Sequence, residues 1–582
     1  MTRESLHETD VCVIGGGMAG LAAALAAARR GANVILMHDR PVLGGNASSE
    51  CRVHVCGADR HNKVPNARET GILEELRLAN LRANPQRSFS VWDTVLYDAA
   101  RRAERLELCL NCSCMAAEMD GRRIVSVTGW QSTTYTRHTV RAKVFIDTSG
   151  DAVLAPLSGA AFRVGREGRD EYGESLAPEL PDSGTMGATL AFAAREHDAP
   201  LPFTPPPWAR KFESCSDLPG DWRGHGWWKL GYWWMELGGA DEAVYDSEKV
   251  RDDLLATLQG VWDHIKNRCP RHRDAAANWA LEWVQFVPAK RESRRYVGAH
   301  VLTQDEVMGG GRFPDTVAYG GWTIDEHPPV GFRCAEFGLE PAYHADPPIY
   351  GIPYGSLVAR DVENLLFAGR CASCSHIAMS STRVMGTASV MGQAAGTAAA
   401  MAARGGIDPA GVADRTDELQ QALLADDAYL PGVRQRFNEA TISAELTASS
   451  GDPAALRDGV NRPVGDQEHA WCCKAGDTLE IRFARATVVE RMTLIADSDL
   501  TKLIQLSMWQ KDDQLSALPE SLLCDAAVEV FADGQWRPGG SVRDNCRRLV
   551  RIPVARRAEA LRLRIDKTWG AESTRLFAAY VD

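Results

Sequence analysis

The chain has 582 residues, 45% of them hydrophobic and 24% charged, and its formal net charge is −12 at pH 7. A chain of this length is too long for one ordinary core, so we expect a globular protein of two or three domains. The acidic balance argues against a nucleic-acid partner and against binding to an anionic membrane surface.

The first predicted elements form a nucleotide-binding pattern. An apolar run at 11–14 predicts a strand, and an alanine-rich segment at 21–30 predicts a helix. The turn between them carries three glycines in G-x-G-x-x-G spacing, Gly15, Gly17 and Gly20. In a dinucleotide-binding unit such glycines permit the tight turn, the approach of a pyrophosphate and close packing of helix and strand. The flanking elements favour this interpretation over chance glycines in a loop.

A second apolar run at 34–37 predicts the second strand of this unit. An acidic residue usually ends that strand and binds the adenosine ribose. Here His38 occupies the position and Asp39 follows it. We therefore expect Asp39 to reach the ribose if the strand ends one residue later.

The polar segment 1–10 leads at once into the first predicted strand, which leaves no room for a signal peptide. No apolar run approaches the roughly 20 residues that span a bilayer. We therefore expect a cytoplasmic protein. The fifteen cysteines are scattered and odd in number, which favours reduced thiols over a disulfide framework.

Two cysteine groups have alternative interpretations. Cys109, Cys112 and Cys114 lie in a strand-like run without iron–sulfur spacing, so a buried thiol cluster is favoured over a metal site. Cys371 and Cys374 follow a predicted strand near the expected cofactor, and they either form a redox pair or pack as ordinary thiols. The sequence predicts no metal site.

Residues 106–146 predict short alternating strands that close on the motif D-x-x-G-D at 147–151. A small meander of this kind between nucleotide-binding units, followed by such a motif, is typical of flavoproteins with two dinucleotide folds. Simple NAD dehydrogenases do not show it.

From residue 152 to 350 the pattern is irregular, with proline-rich connections and many tryptophans. The densest group consists of Trp227, Trp228, Trp233 and Trp234. These rings either pack in an ordinary core or form a surface that stacks on sugar rings. The run 290–295 packs four cations around one acid, and it is either a solvated face or a binding site for an anion, cofactor or substrate.

Residues 364–370 predict a buried strand that ends at Gly369 and Arg370 and returns the chain to the first domain. The segment 387–403 then predicts a helix of small residues. Such a helix packs closely on a sheet, and it also lets a flavin approach its N-terminal end. Helix N–H groups would there stabilise the negative charge that the N1–C2=O edge gains on reduction. Both interpretations can hold together.

The end of the chain has a different pattern. A helical connector is predicted at 406–438, and residues 439–582 then alternate apolar and polar positions between turn residues. This period of two predicts an antiparallel β-sandwich.

Six segments together resemble the FAD-dependent oxidoreductase family, which is related to the heterodisulfide reductase flavoprotein and, distantly, to fumarate reductase and succinate dehydrogenase flavoproteins. They are 15–20, 40–50, 147–151, 291–295, 364–370 and 383–396. The resemblance covers about residues 8 to 405 and implies FAD. It also implies an α/β fold in which a glutathione-reductase-like FAD-binding domain carries an inserted substrate domain. The C-terminal part resembles a discoidin-type sandwich.

The expected domains follow from these boundaries. They are a first part of the FAD-binding domain at 1–151, a substrate or cap domain at 152–360, a second part of the FAD-binding domain at 361–405, the connector at 406–438 and the β-sandwich at 439–582.

Carried over by motif, the resemblance assigns cofactor contacts. Gly15, Gly17 and Gly20 would hold the pyrophosphate, and Asp39 and Arg40 would lie by the adenosine. Gly44, Gly45, Asn46 and Ser48 would meet the ribityl–isoalloxazine junction, Asp151 and Gly369 would lie beside the flavin, and Thr387, Gly392 and Gln393 would lie at its pyrimidine. Relatives usually carry Asp or Glu after the second-strand glycine to bind ribityl hydroxyls, and this chain carries Arg370.

The primary hypothesis is a dehydrogenase that oxidises a hydroxyl-bearing carbon of a sugar-like or polyol substrate by hydride transfer to flavin. A side chain must take the hydroxyl proton, and a base that titrates near neutral pH favours histidine. His376 is the first candidate, and His54 and His327 follow. Arg383 and Arg291 would orient the substrate or stabilise the reduced flavin.

Two alternatives remain open. One is reduction or desaturation of a C=C bond, as in fumarate reductase, with Arg383 or Arg294 delivering the proton. The other is a non-catalytic carbohydrate-binding protein in which the sandwich is the binding module. The expected partners are a small-molecule substrate, with a carbohydrate as one candidate, and an electron acceptor. A contact in a homo-oligomer is an alternative role of the sandwich.

Overall fold

The computed structural model describes residues 2–218, 225–230, 235–340, 342–508 and 514–582. Among these residues, no helix is long and apolar enough to cross a membrane.

The first part of the chain forms a mixed sheet covered by helices. Its elements are β1 (Arg3–Ile14), α1 (Met18–Arg29), β2 (Val34–Met37), α2 (Ile72–Ala83), α3 (Phe89–Arg101), β3 (Leu106–Cys109), β4 (Cys112–Asp120), β5 (Arg123–Gln131) and β6 (Thr136–Asp147). The strands β3, β2, β1 and β6 are parallel neighbours in that order. The strands β4 and β5 continue the sheet beyond β6 as an antiparallel meander. The predicted parallel α/β unit with its meander is confirmed.

The middle of the chain contains short elements around one long helix. They are α4 (Leu154–Ser158), β7 (Phe162–Arg163), α5 (Arg169–Tyr172), β8 (Ala188–Thr189), β9 (Phe192–Glu196), β10 (Glu236–Leu237), α6 (Ser247–Asp263), β11 (Trp279–Val284), β12 (Ala289–Lys290), β13 (Arg295–Tyr296), α7 (Gln304–Met308), β14 (Thr316–Gly320), β15 (Ile324–Glu326), β16 (Tyr343–Ala345) and β17 (Tyr350–Pro353). Trp228 is buried with its ring 6.2 Å from that of Trp262, a buried residue of α6, as in an ordinary core. Trp233 and Trp234 lie outside the described residues.

The chain then returns to the first sheet. This part consists of β18 (Leu365–Phe367), α8 (His376–Thr382), α9 (Met385–Gly405) and α10 (Thr416–Ala425). Strand β18 pairs with β6 in parallel, so the carboxyl ends of β1, β6 and β18 meet at one edge. The predicted return strand is confirmed, and the predicted connector is helical mainly over α10.

Helices α1 and α9 pack backbone to backbone. A Cβ atom on Gly392 would lie 2.1 Å from the carbonyl oxygen of Ala19, and one on Gly396 would lie 2.1 Å from that of Ala23. Both contacts advance in the same direction along the two helices, so the helices run parallel. The small residues of α9 therefore serve close packing, and the N-termini of both helices lie at the same end.

The C-terminal part is an antiparallel β structure. It contains α11 (Glu439–Ile442), β19 (Glu445–Ala448), β20 (Trp471–Lys474), β21 (Thr478–Ala496), β22 (Leu523–Ala532), β23 (Gln535–Val542), β24 (Leu549–Thr568) and β25 (Ser573–Val581). Hydrogen bonds link its strands in the order β20-β25-β21-β24-β22-β23, with β19 beside β21. Strands β21 and β24 are long, irregular in register and paired along most of their length, so hydrogen bonds link all these strands. The predicted antiparallel strands are confirmed, and their arrangement as a sandwich stays a prediction.

Buried arginines join the C-terminal sheet to the first part of the chain. Arg462 donates to the carbonyl oxygen of Arg68 at 3.1 Å and to Thr70 Oγ1 at 2.8 Å. Arg68 in turn pairs with Glu74 at 2.7 Å and donates to the Ser498 carbonyl oxygen at 3.0 Å. Because these guanidinium groups have no access to solvent, their bonds fix the position of the sheet.

A loop of the C-terminal part also reaches the first domain. The sequence predicts a strand at 503–508, but this segment is a loop with one isolated bridge, between Leu503 and Gln514. Residues 504–506 close a pocket against Ala47 and Trp92. The C-terminal part therefore lies beside the loop expected to meet the cofactor.

The substitution Gly392→Ala tests the helix contact. Its methyl group would overlap the Ala19 carbonyl oxygen, so we expect a loss of about 1–3 kcal/mol in the free energy of unfolding. Chemical denaturation of the FAD-bound protein measures this change.

Gly405→Ala is the matched control, because a Cβ atom at this last residue of α9 has its nearest contact at 3.6 Å. This variant should be neutral or slightly more stable. Equal stabilities of the two variants would contradict the packing.

Candidate cofactor and substrate site

The three glycines after β1 differ in their surroundings. Gly15 has a φ of +99°, and a Cβ atom there would lie 2.6 Å from the Ser149 backbone. A Cβ atom on Gly20 would lie 1.8 Å from the Gly15 carbonyl oxygen. On Gly17 it would have no atom of the described residues within 4 Å. The first and third glycines are thus packed, and the second presents open backbone to a ligand.

His38 occupies the end of β2, where an acidic residue is usual. The Gly16 N–H donates to Nδ1 of its buried ring at 3.0 Å, and Nε2 lies 3.1 Å from the Val42 carbonyl oxygen. The imidazole therefore braces the glycine turn. Asp39 follows with a side chain that is 60% exposed. A ribose contact by Asp39 stays a prediction.

The N-terminal turns of α1 and α9 meet at Gly369. This residue has a φ of +85°, and a Cβ atom on it would lie 3.1 Å from that of Ala19 and 3.7 Å from that of Ala388. The first N–H groups of each helix have no partner within the helix, so two positive dipole ends lie together. The hydroxyl of Thr387, buried in the first turn of α9, has no hydrogen-bond partner among the described residues.

These features fit the FAD that the motifs imply. The open backbone at Gly17 before the N-terminus of α1 suits a diphosphate. The N-terminus of α9, with the unpartnered Thr387 hydroxyl, suits the carbonyl edge of an isoalloxazine. The adjoining loop is held against the first turn, because the Gly44 N–H donates to the Gly16 carbonyl oxygen at 2.8 Å.

Gly44 and Gly45 both have positive φ, +104° and +58°, which allows this loop to turn tightly. Asn46 donates from Nδ2 to the Lys290 carbonyl oxygen at 3.1 Å, and Ser48 donates to the Gly45 carbonyl oxygen at 2.7 Å. The loop is therefore tied to the cationic run 290–295. Arg40, at the start of the loop, lies 3.4 Å from Glu50.

Arg370 and Asp151 join three segments into one wall. Arg370 donates to Asp151 Oδ1, to the Gly150 carbonyl oxygen and to the Lys290 carbonyl oxygen, at 2.8, 2.8 and 2.9 Å. Lys290 Nζ lies 2.9 Å from Asp151 Oδ2, and Ser293 donates to Oδ1. Burial raises the pKa of Asp151, but Arg370 and Lys290 outweigh it and hold that pKa well below its usual range. Arg370 thus holds the segments of Asp151 and Lys290 together, at the position where an acidic residue is expected.

His376, at the start of α8, lies between two carboxylates. Its Nδ1 is 3.0 Å from Glu292 Oε1, and its Nε2 is 3.5 Å from Glu326 Oε1. Burial lowers the pKa of the imidazole, but Glu292 outweighs this and raises the pKa of His376 to about 9. The carboxylates thus favour the protonated imidazole, and the role of His376 as the base stays a prediction.

A second buried cluster surrounds His327. Its ring lies 2.9 Å from Glu236 and 3.1 Å from Asp325, and these carboxylates outweigh burial and raise the pKa of His327. Arg383 NH2 lies 3.2 Å from Asp325 Oδ2, and Arg291 NH1 lies 3.3 Å from Glu236 Oε2. Because Arg383 precedes α9 directly, this cluster lies beside the expected flavin edge.

Polar atoms of these clusters lack hydrogen-bond partners among the described residues. They are Arg383 Nε, Glu236 Oε1 and His376 Nε2. An unsatisfied buried polar group costs about 1–3 kcal/mol. A ligand that both accepts and donates hydrogen bonds would satisfy them.

The structure places other predicted residues differently. Arg294 lies over the ring of Tyr245, with Cζ 5.6 Å from its centroid. His54 is buried with its ring 5.1 Å from that of His61. The Gln393 side chain accepts a hydrogen bond from the Ile72 N–H at 3.0 Å. Gln393 and Gly392 therefore both contact neighbouring helices. Their contacts with the cofactor stay predictions.

The cysteines at 371 and 374 are free and buried. Burial raises the pKa of Cys374 to about 12 and also raises the pKa of Cys371. Since the thiolate is the reactive form, these pKa values favour the interpretation as ordinary packed thiols over the redox pair.

Sequence reasoning missed the acidic partners of this site. Glu292 is the one acid of the cationic run, and Asp325 and Glu326 stand beside His327 in the sequence, so a signal was present for them. Glu236 comes from a distant irregular segment and has no local signal.

Comparison with known proteins identifies a family. A family model described as FAD dependent oxidoreductase matches residues 10–423. A geranylgeranyl bacteriochlorophyll reductase-like protein from Thermoplasma acidophilum is 10% identical over 72% of this chain and 86% of its own, with a TM-score of 0.32. The myxobacterial chondrochloren halogenase, an FAD-dependent enzyme, is 14% identical over 34% of this chain and 46% of its own, with a TM-score of 0.21.

A family 32 carbohydrate-binding module from Streptococcus pneumoniae EndoD is 13% identical over 24% of this chain and 98% of its own, with a TM-score of 0.19. All three TM-scores are below 0.5, so the family assignment depends on the family model.

The substitution Gly17→Ala tests the diphosphate position. Gly17 has a φ of −65°, which alanine adopts freely, and the methyl group would enter open space. We expect unchanged stability of the apoprotein and a loss of FAD affinity of about tenfold or more, because the methyl group occupies the approach of the diphosphate. Fluorescence titration of apoprotein with FAD measures this affinity, and Gly405→Ala is again the control. Unchanged affinity in Gly17→Ala would place the diphosphate elsewhere.

Proposed function

Because the chain belongs to the FAD-dependent oxidoreductase family, we propose that it oxidises a hydroxyl-bearing carbon of a sugar-like or polyol substrate. FAD is its cofactor and, when bound, exchanges two electrons with the substrate. The protein is an enzyme, so the non-catalytic alternative is set aside. A small-molecule substrate and an electron acceptor are its partners.

The observation that carries this proposal is the pair of unpartnered groups beside α9. Glu236 Oε1 can accept a hydrogen bond from a hydroxyl group, and Arg383 Nε can donate one. A hydroxyl both donates and accepts, so it is a group that could pair with either atom. Arg291, which lies on Glu236, adds positive charge that orients a polar substrate.

His376 is the residue that we assign to the proton. Glu292 holds Nδ1, whereas the 3.5 Å contact between Nε2 and Glu326 is too long for a good hydrogen bond. Nε2 is therefore the atom that exchanges a proton with a substrate. With a pKa of about 9, the imidazole is in its basic form in about one molecule in a hundred at pH 7.

Reduction of an activated C=C bond is the second candidate. The protonated state of His376 at neutral pH favours it, because reduction needs a proton donor where oxidation needs an acceptor. Arg383 would then anchor the substrate, since its guanidinium is held by Asp325. Proton delivery by Arg383 or Arg294 has no separate support.

The finer architecture belongs to the same proposal. We assign the parallel sheet with its meander to a glutathione-reductase-like FAD-binding domain. A substrate domain at 152–360 is inserted into this FAD-binding domain. The C-terminal sheet at 439–582 would be a discoidin-like module. Its roles in carbohydrate binding or oligomer contact stay predictions. A cytoplasmic location and a closer relation to heterodisulfide reductase or fumarate reductase also stay predictions.

A pH profile separates the two candidates. Oxidation needs neutral His376, so anaerobic bleaching of bound FAD by a reactive polyol should accelerate as the pH rises through about 9. Reduction of an activated alkene needs protonated His376 and should slow over the same range. Stopped-flow absorbance measures the first, and turnover with a chemically reduced enzyme measures the second.

His376→Gln should lower the favoured reaction about 100-fold or more and remove the pH dependence near 9. His138→Gln on β6 is the control, because His138 lies beside His7 on the sheet. A His376→Gln enzyme with the unchanged profile would contradict the assignment.

Glu236→Gln tests hydroxyl recognition. The amide is a weaker acceptor than the carboxylate, so we expect KM to rise about tenfold or more with a smaller change in kcat. Glu282→Gln, at a side chain that is 55% exposed, is the control and should leave KM unchanged. If Glu236→Gln retains its FAD and its KM, the substrate does not contact Glu236.

A further inference from the structure

Four side chains converge in the substrate domain, away from the cofactor wall. They are Cys215, His225, His264 and Cys269, and their ligand atoms all lie within 4.8 Å of one another. Three of them are buried, and Cys215 is half-buried. We propose that these residues bind one structural zinc ion.

The distances within the cluster fit a single tetrahedral ion. With Zn–S near 2.3 Å and Zn–N near 2.05 Å, a tetrahedron has S···S edges of about 3.8 Å and S···N edges of about 3.6 Å. Cys215 Sγ lies 3.7 Å from Cys269 Sγ and 3.5 Å from His264 Nε2. His225 Nε2 lies 3.3 Å from Cys269 Sγ. These three contacts, with the other pairs of ligand atoms within 4.8 Å, leave room for one ion at the centre.

The surroundings also prepare the ligands. His264 Nδ1 lies 3.0 Å from the Phe212 carbonyl oxygen. An Nδ1–H that donates to this carbonyl fixes the ring and leaves the Nε2 lone pair directed at the cluster, as metal-bound histidines usually have it. This bond is a second feature, independent of the distances, that points to a metal.

The local backbone brings the last two ligands together. Helix α6 continues into a π-helical turn, His264–Arg268, and the Cys269 N–H donates to the His264 carbonyl oxygen. Residues five apart on a regular α-helix point about 140° away from each other. The wider turn brings His264 and Cys269 to the same side, and π-turns of this kind are frequent at functional sites.

A zinc ion at this cluster would stabilise the stretch of chain between β9 and β10. The described residues between β9 and β10 form no α-helix or strand, so few backbone hydrogen bonds fix that stretch. An ion bound to Cys215 and His225 would fasten it to the end of α6. Two thiolates balance the charge of Zn²⁺, and four protein ligands leave no open position, which is typical of a structural site and not a catalytic one.

The spacing of the four ligands in the chain explains why the sequence alone does not predict this zinc site. The first three ligands are far apart in the chain, and a break of 38 residues separates His225 from His264. The four ligands include no short Cys-x-x-Cys or His-x-His motif that would indicate a metal site.

Metal analysis of the full-length FAD-bound protein, after growth with added zinc, tests the proposal. We expect about one zinc per chain by inductively coupled plasma mass spectrometry. Zinc K-edge absorption fine structure on the same unsubstituted protein should give two sulfur ligands near 2.3 Å and two nitrogen ligands near 2.0 Å. This second measurement does not depend on any variant folding.

Cys269→Ser and His264→Gln should lower the zinc content about tenfold or more. His272→Gln is a matched control, because its ring lies 5.1 Å from that of His225 but contributes no ligand atom to the cluster. Cys473→Ser, a buried cysteine in β20, is the control for the cysteine change. Both controls should keep the full zinc content.

Three results would overturn the proposal. One is a protein that retains FAD but neither contains zinc nor takes up added Zn²⁺. Another is a disulfide between Cys215 and Cys269 in mass spectrometry of the intact protein. The third is iron or copper in place of zinc at full occupancy.

Discussion

The backbone contact between α1 and α9 is the constraint on which the site depends. Gly392 and Gly396 let the two helices run parallel at a separation that no larger residue permits. Their N-termini therefore lie at the carboxyl edge of β1, β6 and β18, where the free N–H groups of both helices are available to a cofactor. FAD matches this arrangement, because its central diphosphate is joined through the ribityl chain to the isoalloxazine ring.

Burial of charge is the second organising feature. Arg370 and Asp151 brace the wall beside the expected cofactor position, and Arg462 and Arg68 fix the C-terminal sheet. Beside α8, burial lowers the pKa of His376, but Glu292 and Glu326 outweigh it and raise that pKa above its usual value. On the proposed role of His376, the pH would then decide whether this residue gives or takes the substrate proton.

The local parts of this structure could be predicted from the sequence, and the long-range parts could not. The glycine turn after β1, the return strand β18 and the small-residue helix α9 each depend on residues close together in the chain. The bracing role of His38, the contact of Arg370 with Asp151 and the position of Glu236 depend on segments more than twenty residues apart, and local pattern carries no information on such pairs. The C-terminal sheet shows the same limit, because alternation predicts its strands but not that β21 and β24 join them into one sheet.

A crystal structure with bound FAD tests the central claim most directly. We expect the diphosphate at the N–H groups of Met18–Gly20 and the pyrimidine edge of the isoalloxazine at the N-terminus of α9, close to Thr387. An FAD molecule whose ring lies away from α9, or whose diphosphate does not meet α1, would contradict it.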